Sequence, residues 1–490
     1  MNFLLFWIIL YLIASIGIGL YASRKVRTDT DYILAGRGLP LYIVIATTFA
    51  TWFGSETVLG TSSTFLDEWL LGILADPFWA WLCLILVGLF FAKPLYETGV
   101  KTLGDFYRDK YGRTVELLAS IMIIVSYIWW VSAQIVALGL IFDILTEGSA
   151  LDVMSQMQWS IVGGIIVLIY TFFWWMWSVA LTDFFQMIII VIGMTIAAFY
   201  VVDLPGAGWA ASVIREASLA GKFNLFPNGF SISALIAILV AVLTMWFWSI
   251  PQQDVFQRVL SANSKENAKR WGIIGGSLYI VVAFLPIMLG FASFMIAPDL
   301  VTGTDDTQKV LPSLILEATP IFVQVMFFGA LLSAIMSTAS GTLLAPSVLF
   351  MENILRPALP EMSDRKALLL TRSTVIGFFI IIISFVVYKY NQEEAEIFTM
   401  VENAYKITLA GAFVPLAAAI MHKKVHTISA LLSMLIGIWV WISFEFYLGW
   451  EEVYTLPPHF FWFLMSIIWF YSWQMLYKWV WSGKQSSEVH

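Results

Sequence analysis

The chain has 490 residues, of which 60% are AVILMFWYC and only 12% are charged, and its net charge is −7. A single soluble core stops growing at roughly 250–300 residues, so this much apolar surface cannot be hidden from water. The composition excludes a soluble enzyme, a disordered chain and a nucleic-acid binder, and it requires lipid as the solvent.

A helix that crosses a bilayer needs about 20 mostly apolar residues. Thirteen such runs follow one another, at 2–22, 39–63, 70–93, 117–145, 159–178, 181–202, 231–257, 272–297, 313–349, 367–389, 398–421, 427–448 and 457–481. They are too long and too evenly apolar for the roughly 10-residue alternating strands of a membrane barrel. No Lys or Arg precedes the first run, while Arg24, Lys25 and Arg27 follow it. That order reads as a retained first helix, not a secretory signal. The lone cysteine, Cys83, lies in the third run, and the four histidines are at 422, 426, 459 and 490. An intramolecular disulfide is impossible, and a Cys/His metal site is not expected. With these thirteen runs, 21 of the 26 Lys and Arg fall on one side of the membrane and four on the other, with Lys406 inside a run. Positive charge marks the cytoplasmic side. The expected topology therefore has the amino terminus outside and the carboxyl terminus in the cytoplasm, in the plasma (inner) membrane.

Two runs have poor helical centres. The second reads IATTFATWFGSETVLGTSST, crowded with residues that are weak in helix interiors. The seventh reads MWFWSIPQQDVFQ, where Pro251 removes a backbone hydrogen bond. The two runs cross in opposite directions, five helices apart. Paired interruptions of this kind predict an inverted-repeat transporter, whose freed carbonyls and half-helix ends bind ions and solute near the midplane. An ordinary proline kink beside a Ser/Thr-rich packing face is the alternative.

Four segments carry a wider resemblance: DYILAGRGLP at 31–40, LTDFFQ at 181–186, IPQQDVFQRVLSANSKENAKR at 250–270 and FFGALLSAIMSTASGTLLAPS at 327–347. Together they resemble the sodium:solute symporter family over essentially the whole chain. FATWFG at 49–54, GLFFAKP at 88–94 and FQRVLSA at 256–262 are similar to its choline-transporter branch. The resemblance implies an all-α integral membrane protein of LeuT type with about 13 transmembrane helices, forming one transporter domain over 1–490. An extra first helix and loop would occupy 2–38, a first five-helix repeat 39–202, an inverted second repeat 231–421, and two further helices and a tail 427–490. It also implies a sodium site built from the carbonyls of Ala50, Phe53 and Ala334 and the hydroxyls of Ser337 and Thr338. Neutral oxygens suit a hard alkali cation, although Ser and Thr also hydrogen-bond between membrane helices. Asp183 and Ser340 match parts of a second ion site, but Gly341 stands where a further hydroxyl is expected. Asp183 reads equally as a carboxylate favoured by a helix dipole.

Ionisable residues inside spans are functional by default. Glu56, Asp76 and Lys406 fall at similar depth, just outside the midplane, and suggest an acidic substrate mouth with a lysine gate. Lys406 has an alternative partner in Glu402, four residues away on the same helix. Trp52 and Trp130 match aromatic positions of a choline cage, which would attract quaternary ammonium through ring faces. Trp246 precedes the seventh-run break, and all three rings have packing as their alternative role. Ala80 and Gln252 replace a tyrosine and a tryptophan of that cage, and Gln252 with Gln253 suits a more polar solute. The expected function is Na⁺-coupled import of a small organic solute, choline-like or otherwise amino-bearing, by alternating access, with no enzymatic step. The expected partners are that solute and the lipid bilayer, with no nucleic acid and no obligate protein. Alternatives are a proton-coupled carrier of a polar metabolite or amino acid, and a membrane solute sensor. No HExxH or GxxxxGK[ST] motif supports an intramembrane metalloenzyme or an ATP-driven pump.

Overall fold

The computed structural model describes residues 3–22, 33–149, 151–173, 176–226, 229–304, 306–359, 362–422, 424–443 and 458–487. Arg24, Lys25, Arg27 and Lys423, used above for orientation, lie outside the described residues, as does the end of the twelfth run.

Each of the thirteen apolar runs contains helix. In chain order the principal helices are α1 (Phe3–Ala22), α2 (Leu41–Trp52), α3 (Glu56–Gly72), α4 (Leu74–Thr98), α5 (Leu103–Tyr111), α6 (Arg113–Thr146), α7 (Gln156–Phe173), α8 (Met176–Val202), α9 (Trp209–Leu219) and α10 (Ile232–Trp248). There follow α11 (Gln253–Ser261), α12 (Lys265–Ile296), α13 (Val310–Ala318), α14 (Ile321–Phe350), α15 (Asp364–Asn391), α16 (Ile397–Met421), α17 (Thr427–Ser443) and α18 (Pro458–Ser487). Among the described residues, seven helices are long and apolar enough to cross a membrane unaided, and the α2–α3 pair, bent by 57°, makes an eighth. The apolar run at 313–349 is not one continuous helix. It stops at Ala318 and resumes at Ile321, with Pro320 extended between the two segments.

Large apolar side chains such as Phe90, Phe199, Val281, Ile380, Trp439 and Met475 point outward and are exposed. A water-soluble surface does not carry so many, whereas hydrocarbon solvates them. The interior is organised around α6 and α14. On α14 every side chain from Ala330 to Leu349 is buried. Some of its polar members answer their own helix: Thr342 donates to the Thr338 carbonyl at 2.6 Å and Ser347 to that of Leu343 at 2.8 Å. This back-bonding lets hydroxyls sit in a dry interior.

Small residues let helices cross closely, as membrane packing without a hydrophobic drive requires. Where α4 meets α12, a Cβ at Gly272 would strike the Leu84 carbonyl and one at Gly88 would lie 2.8 Å from the Lys269 carbonyl. At one end of the bundle the backbone of Leu39 pairs with the chain leaving α11. Its N–H donates to Ser261 O and its carbonyl accepts from Asn263 N–H, each at 3.0 Å. The same end holds a buried polar network. Asn353 donates to Asp105 (3.1 Å) and Glu116 (2.8 Å), and Arg113 pairs with Glu116 at 2.8 Å.

Overpacking a close crossing costs about 1–3 kcal/mol. Gly272→Val is therefore expected to lower the thermal unfolding midpoint in detergent clearly, while Gly377→Ala, at a position facing open space, leaves it within a degree or two. Equal midpoints for the two variants would contradict the α4–α12 contact.

Candidate functional site

The first break begins where Phe53, at φ −88° and ψ 72°, leaves the helical region after α2. The freed Ser55 N–H donates to Gln134 Oε1 at 3.0 Å. The other end of the same amide, Gln134 Nε2, donates to Glu56 Oε2 at 2.8 Å, and Trp130 Nε1 donates to Glu56 Oε1 at 3.1 Å. Gly54 has no side chain, and a Cβ there would collide with the Glu56 carboxylate. The glycine thus lets the acid fold back over the unwound turn.

The second break follows Pro251, with Gln252 extended at φ −97° and ψ 136° before α11. Asp254, in the first turn of α11, accepts from Tyr127 OH at 2.5 Å and from Trp52 Nε1 at 3.4 Å. Its own N–H donates to the same Tyr127 oxygen at 2.9 Å. Tyr127 and Trp130, one turn apart on α6, stack with ring centroids 6.1 Å apart and planes 10° from parallel. One face of α6 therefore grips both broken helices. A third acid, Asp76, accepts from Tyr279 OH at 2.5 Å and Thr57 Oγ1 at 3.4 Å.

Beneath these acids α2 meets α14. Thr338 Oγ1 donates to the Thr51 carbonyl at 2.9 Å and reaches the Ala50 carbonyl at 3.4 Å. Ser337 Oγ donates to Asp183 Oδ1 at 2.6 Å, and Thr47 holds the other carboxylate oxygen. Ser340 Oγ turns onto its own helix, donating to Ser337 O at 3.1 Å. The buried Arg258 guanidinium donates to Thr47 O (3.3 Å), Asp254 O (2.8 Å) and the Thr51 hydroxyl, and it faces the Asp254 carboxylate at 3.7 Å. Arg258 Nη2 lies 3.1 Å from where a Cβ on Gly341 would stand. Carbonyls, hydroxyls and a carboxylate converging on an unwound helix form a donor set for a hard cation.

The sequence profile described as "SSF: Sodium:solute symporter family" matches residues 32–437. The chain belongs to the sodium:solute symporter family. It is 26% identical over 389 residues to the human "High affinity choline transporter 1", covering 76% of this chain and 65% of that protein. The Drosophila melanogaster "High-affinity choline transporter 1" is also 26% identical, over 71% of this chain and 56% of its own length. The chain thus spans less than two thirds of either protein. The Vibrio parahaemolyticus "Sodium/glucose cotransporter" is 25% identical over 75% of this chain and 71% of its own. Among solved structures, "Substrate-bound outward-open state of a Na+-coupled sialic acid symporter reveals a novel Na+-site" superposes with a TM-score of 0.78 at 18% identity, covering 95% of each chain. "Crystal structure of MhsT in complex with L-phenylalanine" gives a TM-score of 0.53 at 13% identity, over 88% of this chain and 98% of the other. The protein is a multi-pass membrane protein, helical throughout its principal described elements, and it shares the fold of these two solved structures.

Of the residues singled out in the sequence, Ala50, Ser337 and Thr338 meet at the α2–α14 contact. Phe53 lies at the break, Ala334 is one turn from Thr338 on α14, and Asp183 and Ser340 join the same hydroxyl network. Trp52, Glu56, Trp130 and Gln252 are all buried around the two breaks. Gln252 donates to Ser126 Oγ and Thr408 Oγ1, each at 3.3 Å. Gln253 faces elsewhere, its Oε1 accepting from Leu103 N–H at 2.9 Å. Trp246 packs edge-on against Trp79 and lines an apolar cavity of about 770 Å³ with Phe247, Phe413 and Phe463. The Lys406 ammonium donates to Asn403 at 3.0 Å and forms an ion pair with neither Glu402, Glu56 nor Asp76. The structure adds Tyr127, Gln134, Asp254, Arg258, Tyr279, Thr47 and Thr51. Asp254 and Arg258 carried a usable signal as charges at or next to an apolar run. The hydroxyl and amide partners carried none.

Deleting one partner of a buried ion pair typically costs about 3–5 kcal/mol, because the other charge is stranded. Arg258→Ala is expected to lower the unfolding midpoint strongly, and Arg258→Met combined with Asp254→Asn to recover part of the loss. A midpoint unchanged in Arg258→Ala would show that the guanidinium does not compensate Asp254.

Proposed function

We propose that the protein is a Na⁺-coupled secondary symporter that imports a small amino-bearing organic solute by alternating access. The observation that carries the reading is the Thr338 hydroxyl reaching across to the Ala50 and Thr51 carbonyls at a helix break. In this proposal Na⁺, the co-transported ion, is held by the carbonyls of Ala50, Phe53 and Ala334 and the hydroxyls of Ser337 and Thr338. Asp183 orients Ser337, and Ser340, whose hydroxyl is spent on its own helix, supplies no second site, so one Na⁺ moves per cycle. A membrane potential of 100 mV contributes about 2.3 kcal/mol for that one charge, enough for substantial accumulation without ATP.

The same reading assigns thirteen crossings in the plasma membrane, with the amino terminus outside and the carboxyl terminus in the cytoplasm. It places two inverted five-helix repeats over 39–202 and 231–421. The solute seat lies between the breaks, bounded by Trp52, Glu56, Asp76, Trp130 and Gln252. The choline transporters among the relatives support an amino-bearing solute, as do buried carboxylates beside aromatic faces. Trp246 and Gln253 are better assigned to packing and to the α5 contact.

Ser337→Ala with Thr338→Ala is expected to abolish Na⁺-driven accumulation in proteoliposomes while the protein still inserts and purifies. Uptake that persists without Na⁺ and follows an imposed pH gradient would replace this reading with proton coupling. Lys406 is kept as an outer-gate residue on its depth alone. Lys406→Ala is expected to preserve expression and slow uptake severalfold, and unchanged transport kinetics would remove it from the gate.

A further inference from the structure

Buried ionic groups near the two ends of the bundle have ionic partners: Asp105 and Glu116 with Arg108 and Arg113, Glu352 with Arg356, and Lys389 with Glu394. The centre is different. Glu56, Asp76, Asp183 and Asp254 are all buried there, and Arg258 is the one buried cation among the described residues of that region. Arg258 faces Asp254. Glu56, Asp76 and Asp183 are held by neutral donors alone, from Trp, Gln, Tyr, Thr and Ser. Arg258 also acts on Asp183, though not as an ion pair, so the carboxylates left in a dry interior with no cation near them are Glu56 and Asp76, an expensive arrangement. One Na⁺ beside Ser337 answers Asp183, which leaves two acids.

Within the proposed seat the two acids have different hydrogen-bonding surroundings. Glu56 and Thr57 are consecutive on one helix, and side chains there diverge by about 100°. Glu56 is accordingly turned to α6, against Trp130 and Gln134, while Thr57 points to Asp76 of α4 and Tyr279 of α12. Each acid has an aromatic neighbourhood of its own, the stacked Tyr127–Trp130 pair for one and the Phe53–Tyr279 pair, 6.1 Å apart, for the other. Two further oxygens in the breaks, the Ser55 hydroxyl and the Gln252 amide carbonyl, are buried and meet no donor. A buried acceptor without a protein donor is open to one from a ligand. An alkylammonium supplies N–H donors, a charge and a surface that aromatic faces attract.

Resting on the symport reading above, we infer that the transported solute is a dication, a short aliphatic diamine, with one ammonium at Glu56 and the other at Asp76. A quaternary monocation answers one acid, donates no hydrogen bond and leaves the second carboxylate uncompensated. The solute class thus separates from that of the choline transporters although the family is shared.

Thermal shifts of the purified full-length protein, with Na⁺ and with K⁺, compare putrescine and cadaverine with n-butylamine and choline. The diamines are expected to stabilise at concentrations about tenfold lower than the monoamines, and only with Na⁺. Asp76→Asn is expected to abolish or reverse that order, with the shift produced by Na⁺ alone as its check on folding. Monoamines that match or outdo diamines in a Na⁺-dependent way would overturn the dication and leave the symporter standing. So would a retained diamine preference in folded Asp76→Asn. A monoamine carried together with a proton in liposomes would do the same, because the proton would then neutralise the second acid. No Na⁺-dependent shift with any of the four amines would overturn both readings. The wild-type comparison decides the question even if the variant fails to fold.

Discussion

A peptide that leaves the helix inside a bilayer has no water to satisfy it, so every freed N–H and carbonyl must find a partner in the protein. The centre of this molecule is arranged around that requirement. Gln134 answers it in both directions, accepting from the Ser55 N–H and donating to the Glu56 carboxylate. Thr338 and Arg258 answer the carbonyls at the end of α2. The polar groups in the middle of α6 and α14 are therefore consequences of breaks elsewhere in the chain. Replacing either break with regular helix would leave those groups stranded.

The aromatic residues do two jobs at the same place. Trp130 and Tyr127 pack as apolar bulk inside a membrane protein, yet each aims its single polar hydrogen at an acid. Buried Trp and Tyr generally need such an outlet. A fixed Lys or Arg beside a buried acid cancels its field permanently. Arg258 faces Asp254 in this way, whereas Glu56 and Asp76 meet only neutral hydrogen-bond donors.

Much of this was legible in the sequence. Hydrophobic length set the helices, and Pro251 and the Thr/Ser/Gly crowding around Gly54 marked the two interruptions. Glu56, Asp76 and Lys406 stood out because charge within an apolar run is rare, and Asp183 through the family resemblance of its motif. The same rule applies to Asp254, at the edge of the seventh run, where the conspicuous Pro-Gln-Gln drew attention instead. Gln253 was grouped with Gln252 as its neighbour, but adjacent residues at a helix start point in different directions and only Gln252 turns toward α6 and α16. Tyr127, Gln134 and Tyr279 could not be found by pattern, because a tyrosine in mid-span reads as packing until its partner, more than a hundred residues away, is in place. The break at Thr319–Pro320 was hidden for a simpler reason: long apolar stretches on both sides outweigh Glu317, Thr319 and Pro320, and hydropathy does not register backbone direction.

The backbone stitch between Leu39 and the chain leaving α11 has a mechanical meaning. Main-chain pairing is indifferent to side-chain identity and ties together the near ends of two half-helices that come from distant parts of the sequence. A swing that pulled α2 off α14 would drag α11 with it. The carbonyl cradle of one interruption and the Asp254 grip of the other would then come apart in a single stroke. Under the symport proposal, the shared lever would discourage slippage, in which an ion escapes while its passenger stays behind.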